Sequence, residues 1–376
     1  MSWPMVKLGD LVTIKTGRLD ANAAEDEGIY PFFTCSRESL NINSYAFDCD
    51  AILIAGNGDL NVKHYNGKFN AYQRTYVITV NSSDILNTRY LFYFMDKYIE
   101  RLRTMSVGGV IKYIKIGMLT DVEIPLPSII EQKRITAIFN KADYIRKKRE
   151  QAAKLADDFL RTKFLEMFSN EKMKKYSITK IDDILAHEKN SIRTGPFGSQ
   201  LLHSEFTESG IAVLGIDNAV KNEFQWGKPR FISQSKYETL KRYTVFPGDV
   251  IITIMGTCGR CAIVPDNIPT AINTKHLCCI SLDKSKCIPE FLHSYFLTHP
   301  LAKEYLAKHS KGAIMDGLNM GVIKHMPFPE FSLEQQCEFV NIKKKINQLK
   351  SKLNSSKIDC EYNFTTLCND IFNMQG

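Results

Sequence analysis

Ile124-Pro125-Leu126-Pro127-Ser128-Ile129-Ile130-Glu131-Gln132 and Met326-Pro327-Phe328-Pro329-Glu330-Phe331-Ser332-Leu333-Glu334-Gln335 are two copies of one pattern. Each gives a Pro-x-Pro, a short link, Glu-Gln and then a long amphipathic run. Proline fixes φ and disfavours helix in the residue before it, so each copy marks a stiff junction into a helix. Two further landmarks recur upstream, about 200 positions apart. Ser106-Val107-Gly108-Gly109 matches Ser310-Lys311-Gly312-Ala313, and Phe47–Ile54 matches Phe246–Thr253. A period this long is not that of a solenoid, whose repeats run to about 20–50 residues. The chain is therefore expected to hold a module at 1–128 and a helix at 129–172, then a second module at 173–331 and a helix at 332–376.

Within the modules the fold class reads as α+β, mixed and strand-rich. Ala51–Ala55 is a short apolar run closed by the turn residues Gly56-Asn57-Gly58-Asp59. Thr75–Val80 alternates like a half-buried strand. Tyr90–Arg103 places Leu91, Phe94, Met95, Tyr98, Ile99 and Leu102 on one helical face. The second module repeats the order with Val250–Ile254, a turn at Gly256–Gly259, a strand near Leu277–Leu282 and one helix over Pro289–His309. Apolar residues recur along each long helix: Ile135, Ile138, Ala142, Ile145, Ala152, Ala156 and Phe159 in the first, interrupted by Arg149. In the second they are Phe339, Ile342, Ile346, Leu349, Leu353, Cys360 and Leu367. Neither helix is apolar all round, so the two are expected to pack as an antiparallel coiled coil that serves as a spacer.

The 376 residues carry a net charge of +8, unevenly spread. Residues 1–130 hold 13 basic against 14 acidic side chains, whereas 131–175 hold 13 against 7. The excess cation lies on the first long helix, where it is either a solvated face or the lining of a polyanion site. No window approaches 18 consecutive apolar residues, so no membrane span is expected. Met1-Ser2-Trp3-Pro4 lacks the features of a signal peptide. Ten scattered cysteines fit reduced thiols, and the expected location is cytoplasmic.

Catalytic patterns are few. No Gly-x-x-x-x-Gly-Lys-Ser/Thr loop occurs, and no Asp/Asn-Pro-Pro-Tyr/Phe adenine-methyltransferase tetrapeptide. Pro265-Asp266 lacks the acidic-x-Lys that would complete a nuclease metal site. Cys258-Gly-Arg-Cys261, with His276, Cys278 and Cys279, has zinc-like ligand types, but the matching turn of the first module has no thiol. These readings leave no catalytic residue and no metal assigned.

What remains points to nucleic acid. Thr194-Gly195-Pro196-Phe197-Gly198-Ser199 in the second module and Thr16-Gly17-Arg18 in the first can be tight turns. They can also be loops whose amides and hydroxyls approach phosphate, with Arg18 and Arg193 adjacent. Gln73 (followed by Arg74) and Asn273 (near Lys275) each sit in an Ala-x-amide setting, and such amides either read adenine or cap a strand. Gly108-Gly109 with Lys112, and Lys311-Gly312 with Asn319, complete the recurring pairs.

Over nearly its whole length the chain resembles the specificity subunits of type I restriction-modification systems. The residues that carry the resemblance are Trp3-Pro4, Val6-Lys7-Leu8-Gly9-Asp10-Leu11, Thr16-Gly17, Ile124–Pro127 with Glu131-Gln132-Lys133-Arg134-Ile135, and Thr194–Ser199. The second copy, Glu334-Gln335-Gln336-Cys337-Glu338, departs from the pattern. The resemblance implies a non-catalytic subunit whose modules each read half of an asymmetric bipartite site in double-stranded DNA. It implies two methyltransferase subunits using S-adenosylmethionine and restriction subunits using ATP and Mg as partners, with no cofactor in this chain. The alternative is a stand-alone regulator or decoy built from the same modules.

Overall fold

The computed structural model describes residues 3–168, 176–310 and 318–372, and the side chains of these outside 310 and 356–363. The chain divides into two compact units, one of residues 1–151 and 353–376 and the other of 152–352. Both are α+β. Among the described residues, no helix is long and apolar enough to cross a membrane.

In the first unit the strands are β1 (Met5–Lys7), β2 (Val12–Thr16), β3 (Tyr30–Phe33), β4 (Leu40–Ile42), β5 (Phe47–Ala55), β6 (Val62–Ala71), β7 (Thr75–Val80) and β8 (Glu123–Pro125). Six form one sheet in the order β2-β7-β5-β6-β3-β4, while β1 and β8 pair as a separate ribbon. Alternation along β5 sends Ile52 and Ile54 to one face and Ala51 and Leu53 to the other, and both faces are covered. The helix Thr88–Met105 covers the first face. The side chain of Asn87 caps it by accepting from Tyr90 N at 3.0 Å. Leu91, Phe94, Met95, Tyr98, Ile99 and Leu102 are all buried, as the spacing predicts. Burying each such side chain contributes about 1.5–3 kcal/mol.

The second unit has β9 (Ile178–Lys180), β10 (Ile192–Thr194), β11 (Phe206–Thr207), β12 (Ile211–Leu214), β13 (Phe231–Ile232), β14 (Thr244–Val245), β15 (Val250–Thr253), β16 (Cys261–Ile263), β17 (Ala271–Asn273), β18 (Leu277–Ile280) and β19 (Pro327–Pro329). They make a four-stranded sheet β10-β18-β15-β16, a five-stranded sheet β11-β13-β12-β17-β14 and a β9–β19 ribbon. The single helix expected over Pro289–His309 is two, Pro289–Thr298 and Pro300–Ser310. Pro300 excludes helix at His299. That ring is buried, contacts Phe168 O at 2.8 Å and accepts from Leu301 N at 3.1 Å.

The long helices are Ile129–Phe168 and Leu333–Phe372, 40 residues each. Hydrogen bonds put them in a constant register. Ser128 Oγ accepts from Glu131 N, as Ser332 Oγ does from Gln335 N, each at 3.3 Å. Gln132 and Gln336 are both fully buried and make the same three bonds. Gln132 Oε1 accepts from Asn87 N at 2.8 Å, and Nε2 donates to Ile85 O and Pro127 O. Gln336 Oε1 accepts from Ile288 N at 3.0 Å, and Nε2 donates to Lys286 O and Phe331 O. Each glutamine fastens its long helix to the start of its unit's shorter helix.

This register corrects the sequence alignment of the repeat. The counterpart of Gln132 is Gln336, not Gln335. That of Pro127 is Phe331, so the two Pro-x-Pro strings do not superpose. Among the strands, Ile52 pairs with Ile78 as Val250 pairs with Ile280, so Ile52 corresponds to Val250 rather than to Ile251. In a strand a one-residue slip exchanges the two faces.

Each core takes the start of one long helix and the end of the other. In the first unit Ile135 and Phe139 lie beside Cys368 and Phe372. In the second, Phe339 and Val340 lie beside Phe164 and Phe168. Three seam residues fall elsewhere than expected. Ile138, Phe159 and Leu349 are exposed, because burial follows the aromatic ends of the helices.

Candidate nucleic-acid interface

One end of each unit's main sheet collects most of the residues singled out from the sequence. In the first unit Thr16 pairs with Tyr76 and Ala55 with Thr75, so β2 and β5 end where β7 begins. Gly17 is buried there, and a Cβ on it would lie 1.8 Å from Ala71 O. Only glycine lets the loop cross the sheet so closely. That crossing leaves Arg18 exposed next to Gln73, whose backbone N donates to Leu19 O at 2.9 Å. Gly56 N donates to Arg74 O at 2.8 Å, and Gly58 N donates to Lys112 O at 3.0 Å. Arg18, Gln73, Arg74, Gly108, Gly109 and Lys112 therefore belong to one rim. Arg18, Arg74 and Lys112 are exposed, and among the described residues no carboxylate pairs with them. By contrast Arg37 and Arg103 share Asp59, whose carboxyl is held below its usual range chiefly by the Arg37 hydrogen bond. Gln73 Nε2 makes one local bond, 3.3 Å to Asp20 Oδ2.

The second unit builds the same end differently. Thr194 pairs with Cys278 and Thr253 with Leu277. Gly195 is again pressed on backbone, 2.0 Å from Cβ to Asn273 O. By strand register Gln73 corresponds to Lys275, not to Asn273. Asn273 is wholly buried and its Nδ2 donates to Leu277 O at 2.9 Å, so it is a strand-capping amide with no base edge in reach. Arg193 is likewise a core residue. Its guanidinium contacts Asp249 at 2.5 Å, Thr244 O, Asn190 O and Ser281 Oγ, which consumes its donors away from solvent. The expected phosphate role for Arg193 is corrected on that ground. Asn319 spends its side chain as a helix cap, accepting from Val322 N at 2.9 Å. Gly198 and Ser199 are exposed in the loop after Thr194, beside the half-exposed Phe197. Lys311 and Gly312 lie outside the described residues.

Sequence reading missed Arg230 in this unit and weighed His276 only as a zinc-like ligand type. Burial first, then the Lys275 and Arg230 charges, push the His276 imidazole below its usual range. Arg230 itself is tied to Asp217 at 2.5 Å. Their place follows from strand pairing between segments far apart in sequence. The strand register that moved Gln73 onto Lys275 was the one available signal.

Among the described residues, no three His, Cys, Asp or Glu side chains converge as a metal site. Cys278 and Cys279 point to opposite faces of β18 and, like Cys261, are fully buried. Burial pushes the Cys278 thiol up to about 12 and raises those of Cys261 and Cys279 well above the usual range, which disfavours the thiolate a metal needs.

Comparison with known proteins shows what the chain is similar to. Residues 2–155 match the family model of the type I restriction modification DNA specificity domain. The chain is thus similar to that domain over these residues. It is 46% identical over 143 residues to the EcoDI specificity subunit of Escherichia coli, covering 38% of this chain and 31% of that protein. That alignment spans about a third of its relative. A longer one, 23% identical over 371 residues, covers 92% of this chain and 86% of the MjaVIII specificity subunit of Methanocaldococcus jannaschii. In structure it is similar to the specificity subunit from M. genitalium, with a TM-score of 0.63 at 15% identity over 98% of this chain and 96% of that one. The resemblance to type I specificity subunits read from the sequence stands.

Proposed function

We propose that this chain is the non-catalytic DNA-reading subunit of a type I restriction-modification complex, each unit reading one half of an asymmetric bipartite site. The observation that carries the reading is the rim of the first unit. Three exposed cations with no carboxylate partner among the described residues, a close-approach glycine and an amide lie on one sheet end, inside the stretch that matches the specificity-domain model. Cations of this kind position a phosphate backbone, and Gln73 supplies the donor and acceptor that base reading requires. In the second unit Thr194, Gly195, Gly198, Ser199 and Lys275 form the corresponding end. Because the rims differ in nearly every exposed residue, the two half-sites differ as well.

The partners follow from the family resemblance: two methyltransferase subunits that methylate adenine with S-adenosylmethionine, and restriction subunits driven by ATP and Mg. The modules themselves are near neutral, so the isolated chain binds DNA weakly and gains affinity in the complex. Single-molecule mapping of methyladenine in a host carrying the chain with its methyltransferase tests this. A gapped, asymmetric methylated site that vanishes when the chain is deleted is the expected result. Tight, specific binding by the purified chain at physiological salt, with no methyltransferase co-purifying, favours a stand-alone regulator instead.

A further inference from the structure

We infer that the Val107–Tyr113 hairpin of the first unit is a wedge that inserts Val110 and Ile111 between base steps of bound DNA. This rests on the reading of that unit as a DNA reader. Val110 is fully exposed and Ile111 is 62% exposed, an apolar pair left in water at the tip of a loop. Such exposure is unfavourable unless something covers it on binding. The tip is held in place rather than trailing. Val107 N donates to Tyr113 O at 3.0 Å and Tyr113 N to Val107 O at 2.8 Å, and the base is docked by Gly58 N to Lys112 O and Ile114 N to Gly56 O.

The tip is also narrow. Gly108 turns at φ +114°, where a Cβ would lie 2.6 Å from Ile111 O, and a Cβ on Gly109 would meet nothing within 4 Å. Two residues without side chains thus precede two β-branched apolar ones. Around the tip the charge is positive: Lys112 and Lys115 on the same segment, Arg18 and Arg74 on the adjoining rim, all exposed. An apolar point ringed by cations suits a stacked polyanion, whose phosphates take the cations while the bases take the point. A protein groove would bury the valine and isoleucine but leave the cations unused. Unstacking a step also lowers the cost of extruding a neighbouring base for chemistry.

The test uses the complex co-purified with its methyltransferase, on duplexes carrying the mapped site with 2-aminopurine at successive positions. Wild-type protein is expected to raise the fluorescence several-fold at one step of a single half-site. The double variant Val110→Ser/Ile111→Ser, whose side chains touch solvent, is expected to melt like wild type and lose that rise. It should bind about tenfold more weakly with an unchanged salt dependence. Lys112→Ala should keep the rise and flatten the slope of log K against log salt by about one. The wedge is overturned if wild type binds without any fluorescence rise, or if the double variant matches wild type. It is also overturned if the double variant sheds the methyltransferase, which makes the tip a protein contact. Failure of wild type to bind the mapped site is a separate outcome that sinks the DNA-reading proposal itself.

Discussion

Position 139 in the first unit is a phenylalanine, and its counterpart in the second, position 343, is a lysine. Phe139 is fully buried among Tyr93, Phe364 and Phe372, with ring centroids 4.9, 5.1 and 5.9 Å away. Lys343 points into the matching place and donates to Glu290 O at 3.2 Å and Ser294 Oγ at 2.8 Å, with His293 Nδ1 at 3.1 Å. His293 Nε2 faces two carbonyls, Asn222 O and Cys261 O, so it carries the ring proton and leaves Nδ1 to accept from the lysine. One seam position is satisfied by aromatic contact and the other by three hydrogen bonds from one ammonium. The helix register is the same in both. The frame is therefore set by the buried glutamines and the aromatic ends of the long helices, and the residue between them is free to change its chemistry.

The strongest test of that frame is to remove one end of it. Deleting residues 367–376 takes Cys368 and Phe372 out of the first unit's core, with Leu367 and Ile371 packed beside them. Losing a buried phenylalanine alone costs about 3–5 kcal/mol. Hydrogen exchange should report lost protection in Thr88–Met105 and unchanged protection in β15. Equal loss in both units would break the comparison. Next in size, Phe139→Lys should cost about 3–5 kcal/mol, because the first unit has Tyr93 where the second has Ser294 and offers no cage for the charge. A denaturation midpoint close to wild type would show that the seam tolerates a cation without a dedicated site.

Gln132→Leu and Gln336→Leu should each cost about 2–3 kcal/mol by orphaning a buried backbone N–H and two carbonyls. Each loss should register by hydrogen exchange in its own unit, and matched values sharpen the equivalence. The smallest effect is expected of Lys343→Met, within about 1 kcal/mol of neutral near pH 7. Its pH signature is more telling. Burial lowers Lys343 from 10.5 to about 8, so between those values the unfolded chain holds a proton the native one lacks, and stability rises with pH. The methionine variant should lose that rise. Burial and the Lys343 charge lower His293 from 6.5 to about 4, so the second unit should also weaken as pH falls across that window.

Much of the architecture was legible in the residues. Thr75–Val80 reads as a strand because its apolar side chains alternate, and Tyr90–Arg103 as a helix, within the observed Thr88–Met105, because its apolar residues fall on one face. The duplication was legible too, but not its register. Pro125-x-Pro127 and Pro327-x-Pro329 look alike, yet the hydrogen bonds of Gln132 and Gln336 set them two residues apart, and short motifs carry no record of those bonds. The candidate interface was half legible. Glycines at close approaches announce themselves, whereas the fate of Arg193 depends on Asp249, 56 residues away. Likewise Asn273 and Gln73 have the same chemistry in sequence and opposite exposure in the fold.

The seating of Phe372 in the first unit's core has a consequence for how the protein is made. A ribosome that has finished the first unit's share of the central helix at Gln151 must still add the whole second unit before that phenylalanine exists. At roughly 5–20 residues per second, those ~220 residues take on the order of 10 to 45 s. For that interval Tyr90, Phe94 and Phe139 wait for the ring that covers them. The first module to be synthesised is thus the last to close, and the nascent chain exposes an aromatic surface that a chaperone can hold.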